Sequence, residues 1–385
     1  MSAEGFGTIL VILVQARTGR PAVTGFLLAA ALLPYVVSGP VLGSALDRAR
    51  RPRVLAAALA GCYALAIALL LGIAGRAPLP LAVAAALAVG CAEPIVVALS
   101  SLLPRIVPET RLARAYGLES ASYNLAGIAG PGLAAGLAAT VGPSVGATVI
   151  VGLAGLGALT MPLLRMPPPD AMPAAEAGRG GRLDVVTGGV QVLFENRVLR
   201  AITAGTTLGF LGMGGVSVVA VLLAEQLGGS ASSGGQLLVA FALGALAGSL
   251  ASARWMTARL AEWVVLAGLL AFGVALAAAC AVPALSWAVV WFALAGLCDG
   301  PVLAATLMVR QREAPPGRLG QVNTTGGSLK IGAAAVGAAA TGALAGTAGA
   351  DGLLLAMAGC QLAGATLAAV FLIRARGAAS PSRAW

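Results

Sequence analysis

The sequence predicts an all-α membrane protein of about twelve spanning helices arranged as two six-helix bundles, and three observations carry that expectation. Of 385 residues, 59% are hydrophobic and 10% charged, with 53 glycines and a mean hydropathy of +0.95. A soluble domain carries about 25% charged residues, so this chain cannot cover itself with a polar surface. Apolar runs of about 20 residues, the length that crosses the hydrocarbon core, recur along the chain. The arginines gather in alternate gaps between those runs.

Taken in order, the first run is 3–16. Its roughly 13 residues rise only about 20 Å, against a hydrocarbon core of about 30 Å. Such a length predicts either a start upstream of Met1 or a shortened helix with local bilayer thinning. Mass spectrometry of the native N-terminus separates the two. Full-length runs follow at 22–45, 54–74, 79–103, 117–140 and 143–164. After a long gap come 199–224, 234–253, 263–282, 286–309, 322–347 and 351–373.

The gaps after alternate runs hold Arg48/Arg50/Arg51/Arg53, Arg105/Arg111/Arg114, Arg165 through Arg200, Arg254/Arg259 and Arg310/Arg312/Arg318, and the tail adds Arg374, Arg376 and Arg383. The opposite gaps hold only Arg17, Arg20 and Arg76, with Glu225 and Asp351. The positive-inside rule assigns the first set to the cytoplasm. Both termini are then cytoplasmic, which requires an even number of spans. The expected setting is the cell membrane, with the bilayer as partner. The net charge of +10 is accordingly a topology signal, and no nucleic-acid partner is expected. A signal peptide does not stand apart from the first run.

The organisation is an N-terminal half at 1–164, a cytoplasmic linker at 165–198, a C-terminal half at 199–373 and a tail at 374–385. The linker opens on "MPPPDAMPAAEAGRGG" (166–181), a Pro/Gly/Ala-rich flexible stretch. Leu183, Val186, Val190 and Leu193 then recur at helical spacing, which predicts a short helix lying on the inner membrane face. The halves repeat. A shift of 207 residues lays "CAEPIVVALSSLLPRIVPETRL" (91–112) on "CDGPVLAATLMVRQREAPPGRL" (298–319), matching Cys, Pro and Arg in one register. A shift of 205 lays Gly39, Gly43 and Ser44 on Gly244, Gly248 and Ser249. Parallel six-helix repeats are a transporter plan with the binding site near the midplane.

Absences narrow the chemistry. The chain has no histidine, which removes Ser-His-Asp triads and His-based zinc sites. Its five cysteines lie in apolar runs without C-x-x-C spacing and read as small buried hydrophobes. No phosphate-binding G-x-x-x-x-G-K-[ST] loop is present, so active transport by this chain alone must draw on an ion gradient. Neither an enzyme nor a cofactor or metal site is expected.

The stretch "GSALDRARRPR" (43–53) supplies the most specific motif. Gly43, Asp47, Arg48 and Arg51 fall at the spacing of the G-x-L-A-D-R-x-G-R-[KR] signature after the second helix of the major facilitator superfamily. Arg50 stands where that family has its second glycine, and Pro52 where it has its last base. Together with the helix number, linker and half-repeat, the chain resembles that superfamily, and within it the bacterial drug or siderophore exporters. The resemblance implies that Asp47, with Arg48 and Arg51, clamps the loop against neighbouring helix ends and stabilises one of two alternating-access states. A solvated charge run is the plainer reading of the same residues. The run "NLAGIAGPGLAAGLA" (124–138) resembles the family's antiporter pattern, with Gly127, Gly130 and Pro131 at its centre, and this pattern implies efflux. Ordinary close packing of small residues is the alternative.

Four ionisable residues fall inside the predicted spans. At about 1.5 Å per residue, Glu93, Asp299 and Lys330 lie about 16–18 Å from the nearest loop arginine and share the midplane, while Glu119 lies about 7 Å in. Intramembrane charge is costly and faces a cavity or a partner. Asp299 and Lys330, the sole lysine, could pair across adjacent helices or line a cavity. Glu93 has no evident basic partner, and such a carboxylate takes up a proton near neutral pH, as a coupling acid must. Glu119 and Asn124 are secondary candidates, with Glu4 behind them. The expected function is proton-coupled export of small, partly hydrophobic organic molecules such as drugs or siderophores, by a monomer. An importer of a nutrient or metabolite is the first rival. It would want a midplane arginine for an anion, and every arginine is expected in a loop. A non-transporting scaffold or sensor is the second.

Overall fold

Helices follow wherever the sequence supplies apolar runs, and they break where proline or glycine removes a hydrogen bond or permits a positive φ. The computed structural model describes residues 1–163, 184–229 and 231–377. The linker from 165 to 183 and the tail beyond 377 lie outside the described residues. The described residues are mostly helical, with no strand among them.

In chain order the helices are α1 (Ser2–Thr18), α2 (Pro21–Leu32), α3 (Tyr35–Arg48), α4 (Pro52–Ile73), α5 (Leu79–Ala92), α6 (Ile95–Ala98), α7 (Leu103–Ile106), α8 (Leu112–Thr140) and α9 (Pro143–Thr160). The second series is α10 (Asp184–Glu195), α11 (Arg197–Met213), α12 (Val216–Gln226), α13 (Ala231–Trp255), α14 (Ala261–Ala278), α15 (Leu285–Glu313) and α16 (Leu319–Gly377). Among the described residues eight helical stretches are long and apolar enough to cross a membrane, or nine if α11 and α12, bent by 45°, form one span.

Each break has a local cause. Pro34 separates α2 from α3 and Pro94 separates α5 from α6, because proline donates no N–H to the preceding turn. α1 ends at Gly19, whose φ of 60° is the left-handed conformation that glycine adopts without a Cβ penalty. Its 17 residues rise about 26 Å, longer than the run 3–16 but still short of a full span. α16 is two helices end to end, broken at Gly349 with φ 64° and ψ −178°, between the expected runs 322–347 and 351–373. α11 opens on Asn196, whose side-chain oxygen accepts from Val198 N (2.9 Å) and Leu199 N (3.0 Å). That cap satisfies two of the orphan donors at a helix start.

The contacts define two units. The first holds Met1–Ile106, the described residues from Leu125 to Gly189, and Pro316–Ser328; the second holds Val107–Asn124, Val190–Pro315 and Leu329 onward. Each unit therefore takes the opening turns of a helix whose remainder belongs to the other: those of α16 in the first, those of α8 in the second. The core of the first is built on Ile9, Leu10, Leu13, Leu27, Ile67 and Ile150. The second packs around Phe272, Phe292, Leu237 and Leu354.

Within a bilayer, helices gain little from burying apolar surface and instead approach closely through small residues. Gly90 on α5 shows this: a Cβ there would collide with the carbonyl oxygen of Ala31 on α2. Gly90→Val is expected to lower the thermal midpoint and the yield of monodisperse protein, since overpacking costs about 1–3 kcal/mol. Gly61→Ala, where nothing lies within 4 Å, is expected to change neither.

One expectation is corrected here. Cys62 and Cys91 are exposed on the helix surfaces, since an apolar helix in a bilayer is not limited to one buried stripe. In α10, Val192 and Leu193 are buried against protein while Val190 and Phe194 are exposed. Close packing reaches its first half as well: a Cβ on Gly189 would collide with Thr325 Oγ1 and stand 3.0 Å from the carbonyl oxygen of Gln321. The helix is thus seated on the chain itself as well as offering a face outward.

Candidate functional site

In the first unit Asp47 sits in the last turn of α3, facing the first turn of α16. Its Oδ1 accepts from the backbone N–H of Gly320 at 2.8 Å, and its Oδ2 from that of Gln321 at 2.9 Å. These are the N–H groups that a helix start leaves without internal partners, at the positive end of the helix dipole. Glycine makes the approach possible: a Cβ on Gly43 would collide with the carbonyl oxygen of Gly320, and one on Gly320 would lie 2.8 Å from Asp47 Oδ1. Further along, Ser328 Oγ donates to the carbonyl of Tyr35 at 3.2 Å. Arg105 donates to the Asp47 carbonyl at 3.5 Å, while Arg48 and Arg51 are exposed.

Glu93 occupies the break between α5 and α6, within the apolar stretch Leu79–Ile106. Its carboxylate makes no hydrogen bond or ion pair, and the charged group acting on it is Glu4 in the first turn of α1. Tyr63 on α4, 4% exposed, feels both carboxylates, and its hydroxyl has no hydrogen-bond partner. The first unit thus gathers two carboxylates and a phenol. Gly130 on α8 packs against α1, where a Cβ would stand 2.6 Å from the Met1 carbonyl oxygen and 2.8 Å from Gly5 N. Gly127 faces open space, and Pro131 is accommodated inside α8.

In the second unit, Asn124 belongs to a polar knot. Its Nδ2 donates to Ser249 Oγ at 2.8 Å and to the Ser120 carbonyl at 3.0 Å. The hydroxyls of Ser120 and Ser249 lie 3.0 Å apart, and each is within donating distance of the Gly300 carbonyl, at 3.0 and 3.1 Å. The knot ties α8 to α13 and α15. Asn124 is therefore committed to structure, and Ser120 and Ser249 are additions to the sequence reading. Glu119 is half-buried beside this knot in sequence but takes no part in it.

Asp299 and Lys330 also lie in the second unit, yet no ion pair or hydrogen bond joins them, which corrects the expected pairing. Lys330 is 6% exposed, and its Nζ stands over the ring of Phe210 on α11, 4.9 Å from the centroid. Arg310, expected in a loop, is instead in α15 and 3% exposed. Its long side chain reaches inward from the last helical turns, and a count of charges in loops misses that. Asp299 and Arg310 are the charged groups acting on Lys330. Among the described residues no group of His, Cys, Asp and Glu could hold a metal ion.

A family model described as the Major Facilitator Superfamily matches residues 1–221. The chain is 26% identical over 327 residues to an uncharacterized MFS-type transporter, y4rN, of Sinorhizobium fredii, covering 84% of this chain and 80% of that protein. Among solved structures it is similar to the human organic anion transporter MFSD10 (TETRAN), with a TM-score of 0.72 and 17% identity over 96% of this chain and 98% of that one. It is also similar to a bacterial homologue of the iron transporter ferroportin in an outward-facing state, with a TM-score of 0.69 and 15% identity over 97% and 98% of the two chains. FucP in its outward conformation gives a TM-score of 0.70 and 14% identity over 96% and 98%.

Proposed function

Since the chain belongs to the major facilitator superfamily, and so to a family of membrane transporters, we propose that it is a proton-coupled exporter of small, partly hydrophobic organic molecules, drugs or siderophores among them. It works by alternating access through twelve spans, in two six-helix halves (1–164 and 199–373), with both termini on the cytoplasmic side of the cell membrane.

The observation that carries the reading is the seat of Asp47 on the opening N–H groups of α16. A carboxylate placed there stabilises the arrangement in which α3 and α16 touch, and its release is the event that alternation requires. The Ser120–Asn124–Ser249 knot is the second such fastening, made of neutral groups. Neutral hydrogen bonds contribute about 0.5–1.5 kcal/mol each, so Ser249→Ala is expected to slow transport about two- to tenfold at unchanged abundance. Initial rates in vesicles measure it.

Proton coupling falls to Glu93, with Glu4 and Tyr63 as neighbours through which a proton is shared. Substrate and proton then compete for alternate states of the carrier. The pattern around Gly130 and Pro131 on α8 supports the outward direction. The test is transport in inverted vesicles with an imposed pH gradient and a panel of lipophilic cations, antibiotics and siderophores. Proton movement on adding a panel compound is the expected result, and none with any compound overturns the reading. Import of an anion is the second reading, favoured by the depth of Arg310.

A further inference from the structure

The ammonium of Lys330 in the second unit is poorly satisfied. It is buried, it makes no hydrogen bond or ion pair, and the face of Phe210 lies beside it. A cation over an aromatic ring gains something from the quadrupole, but the ring accepts none of its three N–H donors in the manner of an oxygen. Fixed charge at this depth persists in membrane proteins where a substrate path uses it.

The neighbours sharpen the chemistry. Phe210, Thr207 and Thr203 recur at spacings of three and four on α11 and so share one face. The hydroxyls of Thr203 and Thr207 are both buried without a hydrogen-bond partner, and Thr203 is 6% exposed. One side of α11 therefore presents an aromatic ring and two unused hydroxyl donors, with a buried ammonium at the ring. Arg310, the second buried base of this unit, adds positive potential at Lys330, and Asp299 opposes it. The bases outnumber the acid here, and that surplus of positive charge suits an oxyanion.

We propose that Lys330, with Thr207 and Thr203, binds the oxyanion of the transported molecule while Phe210 packs against its apolar or aromatic body, so that the substrate is an organic anion such as an aryl carboxylate. This rests on the transporter reading above and narrows its substrate class. The ammonium supplies charge and hydrogen bonds, and the threonine hydroxyls donate to the remaining oxygen lone pairs. The ring holds the hydrocarbon part in a fixed place relative to the charge. Asp299 excludes a second negative group, which limits the substrate to one.

The probe set is naphthoate, naphthamide and naphthylmethylammonium, one ring system in three charge states, titrated into the purified full-length chain in detergent and read by calorimetry and thermal midpoint. Naphthoate is expected to bind with Kd of about 1 mM or below, and the other two at least about tenfold more weakly. Loss of a charge-assisted hydrogen bond predicts that Lys330→Gln weakens naphthoate about ten- to hundredfold, while Lys330→Arg restores most of the binding. Thr207→Val is expected to weaken it severalfold. The midpoint and elution of each unliganded variant show that it folds, and Thr207→Val tests the site independently should a Lys330 variant fail to fold.

Binding of naphthoate that survives Lys330→Gln, equal or tighter binding of the ammonium, or no binding by any of the three overturns the proposal. Displacement of naphthoate by inorganic phosphate at equal concentration overturns the organic part of it. Proton-coupled movement of cations without naphthoate binding sinks this inference and leaves the exporter standing. Absence of proton movement across the whole vesicle panel sinks the exporter itself.

Discussion

Replacing Asp47 by asparagine is expected to cripple transport while leaving the amount of protein in the membrane unchanged. The carboxylate takes two backbone hydrogen bonds, from Gly320 and Gln321. An amide keeps one acceptor and turns N–H donors toward the other N–H group. Hydrogen bonds to a charged partner contribute about 1.5–3 kcal/mol, against roughly 1 for a neutral pair. The helix dipole adds about 0.3–1 kcal/mol for a negative charge at this end. A loss of that size shifts the balance between carrier states about ten- to hundredfold. Fold stability is expected to change little, because the exchange is isosteric and removes no apolar group from either core. Asp47→Glu is expected to fail too, since Gly43 and Gly320 leave no room for an added methylene. Transport rate per immunodetected protein is the measurement, and normal transport by either variant would refute the clamp.

The second large effect is expected at Glu93. Glu93→Gln should abolish efflux driven by a pH gradient while preserving substrate-for-substrate exchange, which needs no net proton movement. A gradient of one pH unit is equivalent to about 1.36 kcal/mol per proton, or about tenfold substrate accumulation at one proton per cycle. The variant is expected to show none. Glu4→Gln and Tyr63→Phe should reduce the accumulation without eliminating it, because each removes a neighbour and leaves the central acid. Accumulation ratios in inverted vesicles, measured beside counterflow, separate coupling from binding. Full accumulation by Glu93→Gln removes that residue from the mechanism.

The long helices were legible because they depend on apolar runs, and the break at Gly349 falls between two of those runs. The breaks at Pro34 and Pro94 fall inside runs 22–45 and 79–103 that were expected whole, because apolar length says nothing of the N–H that proline lacks. Asp47 was legible because its motif combines an acid, bases and glycine at fixed spacing, although its partners 273 and 274 residues away were not. The polar interior was largely hidden. Ser120, Ser249, Thr203 and Thr207 are small and common in apolar helices, and no periodicity says which hydroxyl finds a partner. Tyr63 lies in an apolar run, and nothing in its spacing points to Glu4 or Glu93. Arg310 was misplaced because sequence fixes where its Cα sits but not where about six ångströms of side chain carry the charge. Asp299 and Lys330 suggested a pair on charge alone, and packing put Phe210 beside the ammonium.

Gly189 has a mechanical consequence. Lacking a side chain, it lets α10 rest on Gln321 and Thr325, one turn from the amides that hold Asp47 and sharing Gln321 with them. A shift of α10 is therefore expected to be felt at the carboxylate's own anchorage, since both lean on Gln321.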